Sequence, residues 1–231
     1  MTATKLTALG VPIGLLVLVL VLVASGGSPA APPAEGDAGG GAARGSWWHG
    51  ADATARLKDA EGNFVGVVRF RYEGDEVEVE ADVKNVEPAD EFHGFHVHTT
   101  GKCDPDAVDP ATGNTVPFFS AGGHFNPGGE VHGEHAGDFP VLLVQSDGHA
   151  EEEFDTDRFR LGQLFDDDGS AVIVHAGRDN YANIPATTPT GAERYHSHTE
   201  DVFGPDSMTK ATGDAGARFA CGVVRRTWFF R

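Results

Sequence analysis

Residues 76–83 alternate apolar and acidic side chains, with Val77, Val79 and Ala81 set against Glu76, Glu78, Glu80 and Asp82. Successive side chains of an extended chain point to opposite faces, so this pattern predicts a half-buried strand with an acidic outer face. Short alternating or apolar runs at 53–58, 64–72, 94–98, 140–145, 150–154, 171–175 and 218–224 predict further strands. Ala60-Glu61-Gly62-Asn63 supplies a turn between the first two of these, and Asp147-Gly148 is a hairpin signal. Helical periodicity is scarce, and the 31 glycines suit turns between strands. Two long stretches, 99–138 and 176–216, carry no period; loops of that length need a metal or a disulfide to organise them, and loops are where function concentrates. The pattern predicts an all-β sandwich or barrel with two long functional loops.

The N-terminal segment follows a different rule. Lys5 precedes an uncharged stretch, 6–24, whose 15–23 portion is entirely leucine and valine. A secretory apolar region spans about 7–15 residues and a membrane-crossing helix about 20, so the segment falls between the classes. Ala24, Ser25, Gly26 and Gly27 offer a peptidase cleavage point. Residues 1–27 read as a signal peptide or an uncleaved N-terminal membrane anchor, and a tether through 6–24 follows from the second reading. Either places the remainder outside the cytoplasm, secreted or on the outer face of the cell membrane. Residues 28–46 are mostly proline, glycine and alanine, too poor in large apolar side chains to pack, and read as a flexible linker. The folded domain is expected over 47–231.

Charge narrows the function classes. The formal net charge of −18 and the absence of any lysine and arginine stripe exclude nucleic acid as a partner. Cys103 and Cys221 are the two cysteines. Behind an export signal such a pair reads more naturally as one disulfide than as two thiols. It would close a loop worth roughly 4–5 kcal/mol in the chain-entropy description.

The histidines carry the chemistry. In His96-Val97-His98 the two imidazoles lie two apart on a strand and share a face, so both can reach one ion. His124, His132, His135 and Asp138 fall within a glycine-rich segment that can fold tightly around an ion, and three histidines with a carboxylate make a tetrahedral zinc set. His175 closes an apolar run, a rigid place for another ligand.

These strings resemble the copper/zinc superoxide dismutase family, in its bacterial exported form, over about residues 50–225. His93-Gly94-Phe95-His96-Val97-His98 is similar to the family's copper strand, and His124-Phe125-Asn126-Pro127 to the segment bearing the histidine shared by both metals. Gly213-Asp214-Ala215-Gly216-Ala217-Arg218-Phe219-Ala220-Cys221-Gly222 resembles the C-terminal signature. The resemblance implies a Greek-key β-sandwich. It assigns copper to His96, His98, His124 and His175, and zinc to His124, His132, His135 and Asp138. It also implies an Asp179 that hydrogen-bonds one histidine of each metal, a Cys103–Cys221 disulfide, and Arg218 as the group that guides superoxide. The implied reaction is dismutation of superoxide to oxygen and hydrogen peroxide by a copper redox cycle, with His124 carrying a proton. Zinc shapes the loop and holds the bridge. A homodimer and a monomer are both compatible with the sequence.

Plainer readings compete at several positions. Arg218 could be a surface arginine paired with a carboxylate, although its place beside Cys221 favours the site. His93 should face away from the ligands and serve structure, while His49 and His149 belong near turns. His196 and His198 form a second H-x-H in a loop, with an exposed metal site as the sharper alternative. Trp47, Trp48 and Trp228 read as packing residues. The interval from Cys103 to His124 and the loop 180–211 depart from the commoner family pattern, and Lys210 has no clean counterpart. Two rival functions remain at this level: a metal-storing module without turnover, and a sandwich that uses zinc and the disulfide for rigidity alone.

Overall fold

The computed structural model describes residues 51–227; the N-terminal segment, the linker, Trp47, Trp48, His49 and Trp228 lie outside the described residues. One antiparallel sheet dominates. In chain order its members are β1 (Ala53–Asp59), β2 (Phe64–Glu73), β3 (Glu76–Val83), β5 (Phe95–His98), β7 (Ala150–Thr156), β8 (Ala171–His175) and β11 (Arg218–Arg226). A short pair, β4 (Phe92–His93) with β6 (Leu142–Leu143), and a hairpin, β9 (His196–Ser197) with β10 (Val202–Phe203), complete the strands. The one α-helix among the described residues is α1 (Ser207–Thr212).

The sheet order is β5-β8-β11-β1-β2-β3-β7. β1, β2 and β3 follow one another by tight turns, with Gly62 at φ 86° in the first, a left-handed conformation glycine adopts without strain. The other neighbours are distant in sequence, which is Greek-key connectivity. The predicted strands appear in place, except that 140–145 shortens to the two residues of β6. Asp147-Gly148 does form a tight turn, with the Gly148 amide donating to the Gln145 carbonyl at 2.9 Å.

Alternation decides what each strand buries. Val77, Val79, Ala81 and Val83 of β3 join Val68, Phe70, Phe95, Val97, Leu142, Val172 and Val174 in the main core. Burying such a side chain contributes about 1.5–3 kcal/mol. β7 ends the sheet, its Glu151, Glu153 and Asp155 exposed.

β5 and β8 are buried on both faces. Phe95 and Val97 pair with Val174 and Val172 towards the main core, while His96 and His98 pair with Ile173 and Ala171 on the opposite face. Ala171 and Ile173 pack there in a second cluster with Phe118, Ala121 and Cys221, beneath the 99–122 loop. The Cys103–Cys221 disulfide joins that loop to β11. Two layers of cover make a dry pocket for imidazoles on a rigid strand pair.

Candidate metal centre

The free edge of β5 is lined by the glycine-rich loop rather than by another strand. The Phe125 amide donates to the Val97 carbonyl and the Val97 amide to the Gly137 carbonyl, each at 2.8 Å, and the Phe139 amide reaches the Phe95 carbonyl at 3.2 Å. Isolated bridges pair His98 with His124 and His96 with Asp138. The backbone therefore carries both ends of the loop onto the histidine strand.

The imidazoles converge. Ligand atoms of His96, His98, His124 and His175 all lie within 4.8 Å of one another. His98 donates from Nδ1 to the Gly122 carbonyl (2.9 Å), and His175 from Nδ1 to the Gly216 carbonyl (3.1 Å). Those bonds fix the tautomers and leave both Nε2 lone pairs facing inward, 3.4 Å apart. His96 points Nε2 at Asp179 Oδ2 (2.6 Å), which leaves Nδ1 for the cluster.

On the other side of His124 the partners are carboxylates. His124 Nδ1 lies 2.8 Å from Asp138 Oδ1, His135 Nδ1 3.3 Å from the same oxygen, and His132 Nδ1 3.3 Å from Asp138 Oδ2. His132 Nε2 reaches Asp179 at 2.8 Å. The tightest mutual grouping here contains His96, His124, His132 and Asp138. His135 falls outside that grouping, although its Nδ1 lies 3.3 Å from Asp138 Oδ1.

The fit to metals rests on orphaned atoms. His96 Nδ1, His124 Nε2, His132 Nδ1 and His135 Nδ1 are buried without a hydrogen-bond partner. Buried polar atoms are rarely left so, and four such nitrogens clustered together are a donor set that fits cations. All-imidazole donors suit copper, and imidazoles with a carboxylate suit zinc.

Titration differs between the two sides. Burial holds His98 and His175 well below the ordinary histidine value, and His96 below it as well. Burial also lowers His124 to about 4. At His132 burial is the largest influence, but the Asp138 and Asp179 carboxylates against its two nitrogens together outweigh it and raise the ring to about 9. Burial pushes both carboxylates upward, and their histidine partners reverse this, holding Asp138 and Asp179 far below the usual range.

Arg218 Nη2 donates to the Gly122 carbonyl at 2.6 Å and Nη1 to the Phe118 carbonyl. Its guanidinium lines a pocket with His98, His124, His175, Met208 and Thr212. The pairing is with loop carbonyls and no carboxylate, so the cation is positioned without being neutralised. Lys210 lines a different cavity, behind His132.

His93 is buried, with both ring nitrogens 2.7 Å from carbonyl oxygens of His175 and Pro88, a structural brace. His149 sits at the turn, 3.4 Å from Asp82. His196 has a carboxylate on each nitrogen, Glu193 at 2.7 Å and Asp201 at 3.0 Å. Asp201 and then Glu193 raise its pKa, and both ring nitrogens are taken up by these carboxylates.

Two residues at the centre carry no sequence signal. Arg158 Nη1 donates to the carbonyls of Gly133 (3.1 Å), His135 (3.2 Å) and Asp138 (3.3 Å), stapling the loop. Tyr181, at φ 54°, donates its amide to Asp179 Oδ1 (2.6 Å), lies parallel to His132, and accepts at its hydroxyl from the Val141 amide.

Comparisons agree with this geometry. Residues 64–224 match the family described as Copper/zinc superoxide dismutase (SODC). The Cu-Zn superoxide dismutase of Mycolicibacterium paratuberculosis is 40% identical over 173 residues, 74% of this chain and 73% of that protein. The Mycobacterium tuberculosis counterpart is 44% identical over 133 residues, 58% and 52% of the two chains. Among solved structures, the Cu/Zn superoxide dismutase from Brucella abortus superposes with a TM-score of 0.54 at 26% identity, covering 74% of this chain and 98% of that one. A SOD-like protein from Bacillus subtilis gives 0.52 at 26%, covering 74% and 96%. The sheet order, the paired donor sets and these matches lead to one conclusion: the chain belongs to the copper/zinc superoxide dismutase family of oxidoreductases.

Proposed function

We propose that the protein dismutes superoxide to oxygen and hydrogen peroxide outside the cytoplasm, with His96, His98, His124 and His175 holding copper and His124, His132, His135 and Asp138 holding zinc. Bound copper supplies the couple that takes an electron from one superoxide and returns it to a second, and bound zinc supplies a fixed positive charge. The single observation that carries the reading is His124. Its Nδ1 faces Asp138 while its Nε2 is buried without a protein partner towards the other three histidines. One ring therefore addresses both donor sets.

The chain's own groups account for the rest. Arg218 draws the anion into the pocket and orients it, since its donors are anchored by carbonyls and no carboxylate is paired with it directly. The net charge of −18 does not cancel this, because the Debye length is about 8 Å at physiological salt. His124 Nε2 is the atom at which a proton can be held and passed to the departing peroxide, while Nδ1 stays against Asp138. The extracytoplasmic setting is supported by the disulfide, which persists in oxidising compartments, and by the apolar 6–24 stretch.

Arg218→Ala tests the reading. The enzyme should keep its metal content and lose superoxide turnover by about tenfold or more, as expected when a preorganised charge is removed from a reacting centre. Unchanged turnover would remove Arg218 from the reaction, and a metal-loaded parent without turnover would point to metal storage instead.

A further inference from the structure

The loop 180–211 contains a small built structure. β9 and β10 form a hairpin closed at its base by the Gly204 amide on the Tyr195 carbonyl, at 2.9 Å. Glu193 and Asp201 grip His196 from both sides, and the His198 ring stacks on it at 4.9 Å. The hairpin is fastened to the next element. The Glu200 carboxylate accepts from the Ser207 amide at 3.0 Å and from the Ser207 hydroxyl. Ser197 Oγ donates to Asp206 Oδ2 at 3.0 Å, while Asp206 Oδ1 accepts from the Thr209 amide at 2.9 Å and so caps α1.

A six-residue helix is too short to persist alone. α1 is nevertheless held at both ends, and its far end meets the metal centre. The His132 amide donates to the Lys210 carbonyl at 2.8 Å, and the Asn180 amide to the Gly213 carbonyl at 2.9 Å. Gly213, at φ 62°, lies so close to Asp179 and His132 that a side chain there would collide with both. Along its length, Met208 and Thr212 form the wall of the Arg218 pocket opposite the histidines.

We propose that the 193–204 hairpin is a positioning element for the reaction, with Glu200 and Ser197 as its working residues. By capping α1 from outside, it sets both the open wall of the substrate pocket and the backbone of His132. The proposal rests on the function inferred above only in calling that pocket the substrate's; the mechanical coupling stands on the contacts alone.

The test uses the full-length, metal-loaded protein and four variants: Glu200→Ala, Glu200→Gln, which keeps an acceptor oxygen, Ser207→Ala, and the double variant that combines Glu200→Ala with Ser207→Ala. Hydrogen exchange is followed in peptides covering 130–134 and 207–212, alongside zinc release to a chelator. Glu200→Ala should speed exchange in both peptides together and release zinc about fivefold faster, an effect of the size of a lost helix cap, because the Ser207 amide at the helix start loses its acceptor. Glu200→Gln should restore release to within about twofold, and Ser207→Ala combined with Glu200→Ala should add nothing to Glu200→Ala alone. Faster exchange at 207–212 with neither 130–134 nor zinc release altered would overturn the proposal. A dismutase assay on the parent protein keeps the two readings apart: a parent without turnover whose Glu200→Ala variant still loosens both segments refutes the function and upholds the coupling.

Discussion

The two sides of His124 are prepared for their ions by different physics. On one side His96, His98 and His175 stand on paired strands with their orienting bonds already made, and burial keeps His98 and His175 neutral at ordinary pH. On the other, His132, His135 and Asp138 belong to a loop, and the groups present before any ion arrives are an imidazolium between two carboxylates. The first set is rigid, and the nitrogens it turns inward carry no proton; the second is held by charge, and an ion must displace a proton to enter. A sheet can thus preorganise one donor set while a loop depends on electrostatics and its own ion for the other.

The largest test of that contrast removes the shared carboxylate. Asp138→Ala should weaken zinc binding about a hundredfold to a thousandfold, the size of effect seen when one partner of a buried ion pair is removed, with copper binding to the strand histidines largely retained. Chelator competition for each metal separately decides this; equal loss of both would dissolve the distinction. The proton balance comes next. Metal-free His132 is raised to about 9 by its carboxylates, so zinc affinity of the copper-free protein should rise about tenfold per pH unit from neutrality towards that value, with one proton released per ion. Calorimetry in buffers of different ionisation enthalpy counts that proton, while copper affinity of the zinc-free protein, where His124 keeps its Nδ1 proton and offers Nε2, should stay nearly flat over the same range.

Arg158→Ala is a milder perturbation, expected to weaken zinc about tenfold because three loop carbonyls lose their common donor. Copper titration of the same variant should match the parent. The smallest effect lies outside both sides. Glu152 Oε2 is buried without a partner, and burial raises the group to about 7. The folded chain therefore holds a proton that the unfolded chain gives up from the ordinary carboxyl value of 4.5 upward, so stability falls as pH rises through that interval. Glu152→Gln should raise the melting temperature by about 2–4 °C near pH 8, the shift that corresponds to roughly 1 kcal/mol in a domain of this size, and leave it unchanged at pH 4.5.

Much of this was readable from residues, for physical reasons. Period-two alternation is enforced by a one-sided core, so β3 was visible over its whole length, and β8, apolar on both faces, appeared as an unbroken run. The donor residues stood out because histidines at even spacing on a strand, or crowded among glycines, are rare without chemistry. What escaped notice depends on long-range contacts. Arg158 looks like any surface arginine until the loop folds over it, and the left-handed backbone of Tyr181 has no residue-type signature. β4 and the β9–β10 hairpin are two-residue strands, below the length at which a period can show. Helix α1 did leave marks, Asp206 before it and Gly213 after it, but its six residues carry no amphipathic repeat.

The far margin of the sheet has a consequence for behaviour in bulk. Among the described residues β7 pairs with β3 alone within the sheet, and its other rim presents backbone groups that could recruit a strand from another molecule. Carboxylates at every second residue, Glu151, Glu153 and Asp155, flank that rim. Two molecules approaching rim to rim would set like charges against each other, so this border should resist fibril growth at high protein concentration and lose that protection in acid.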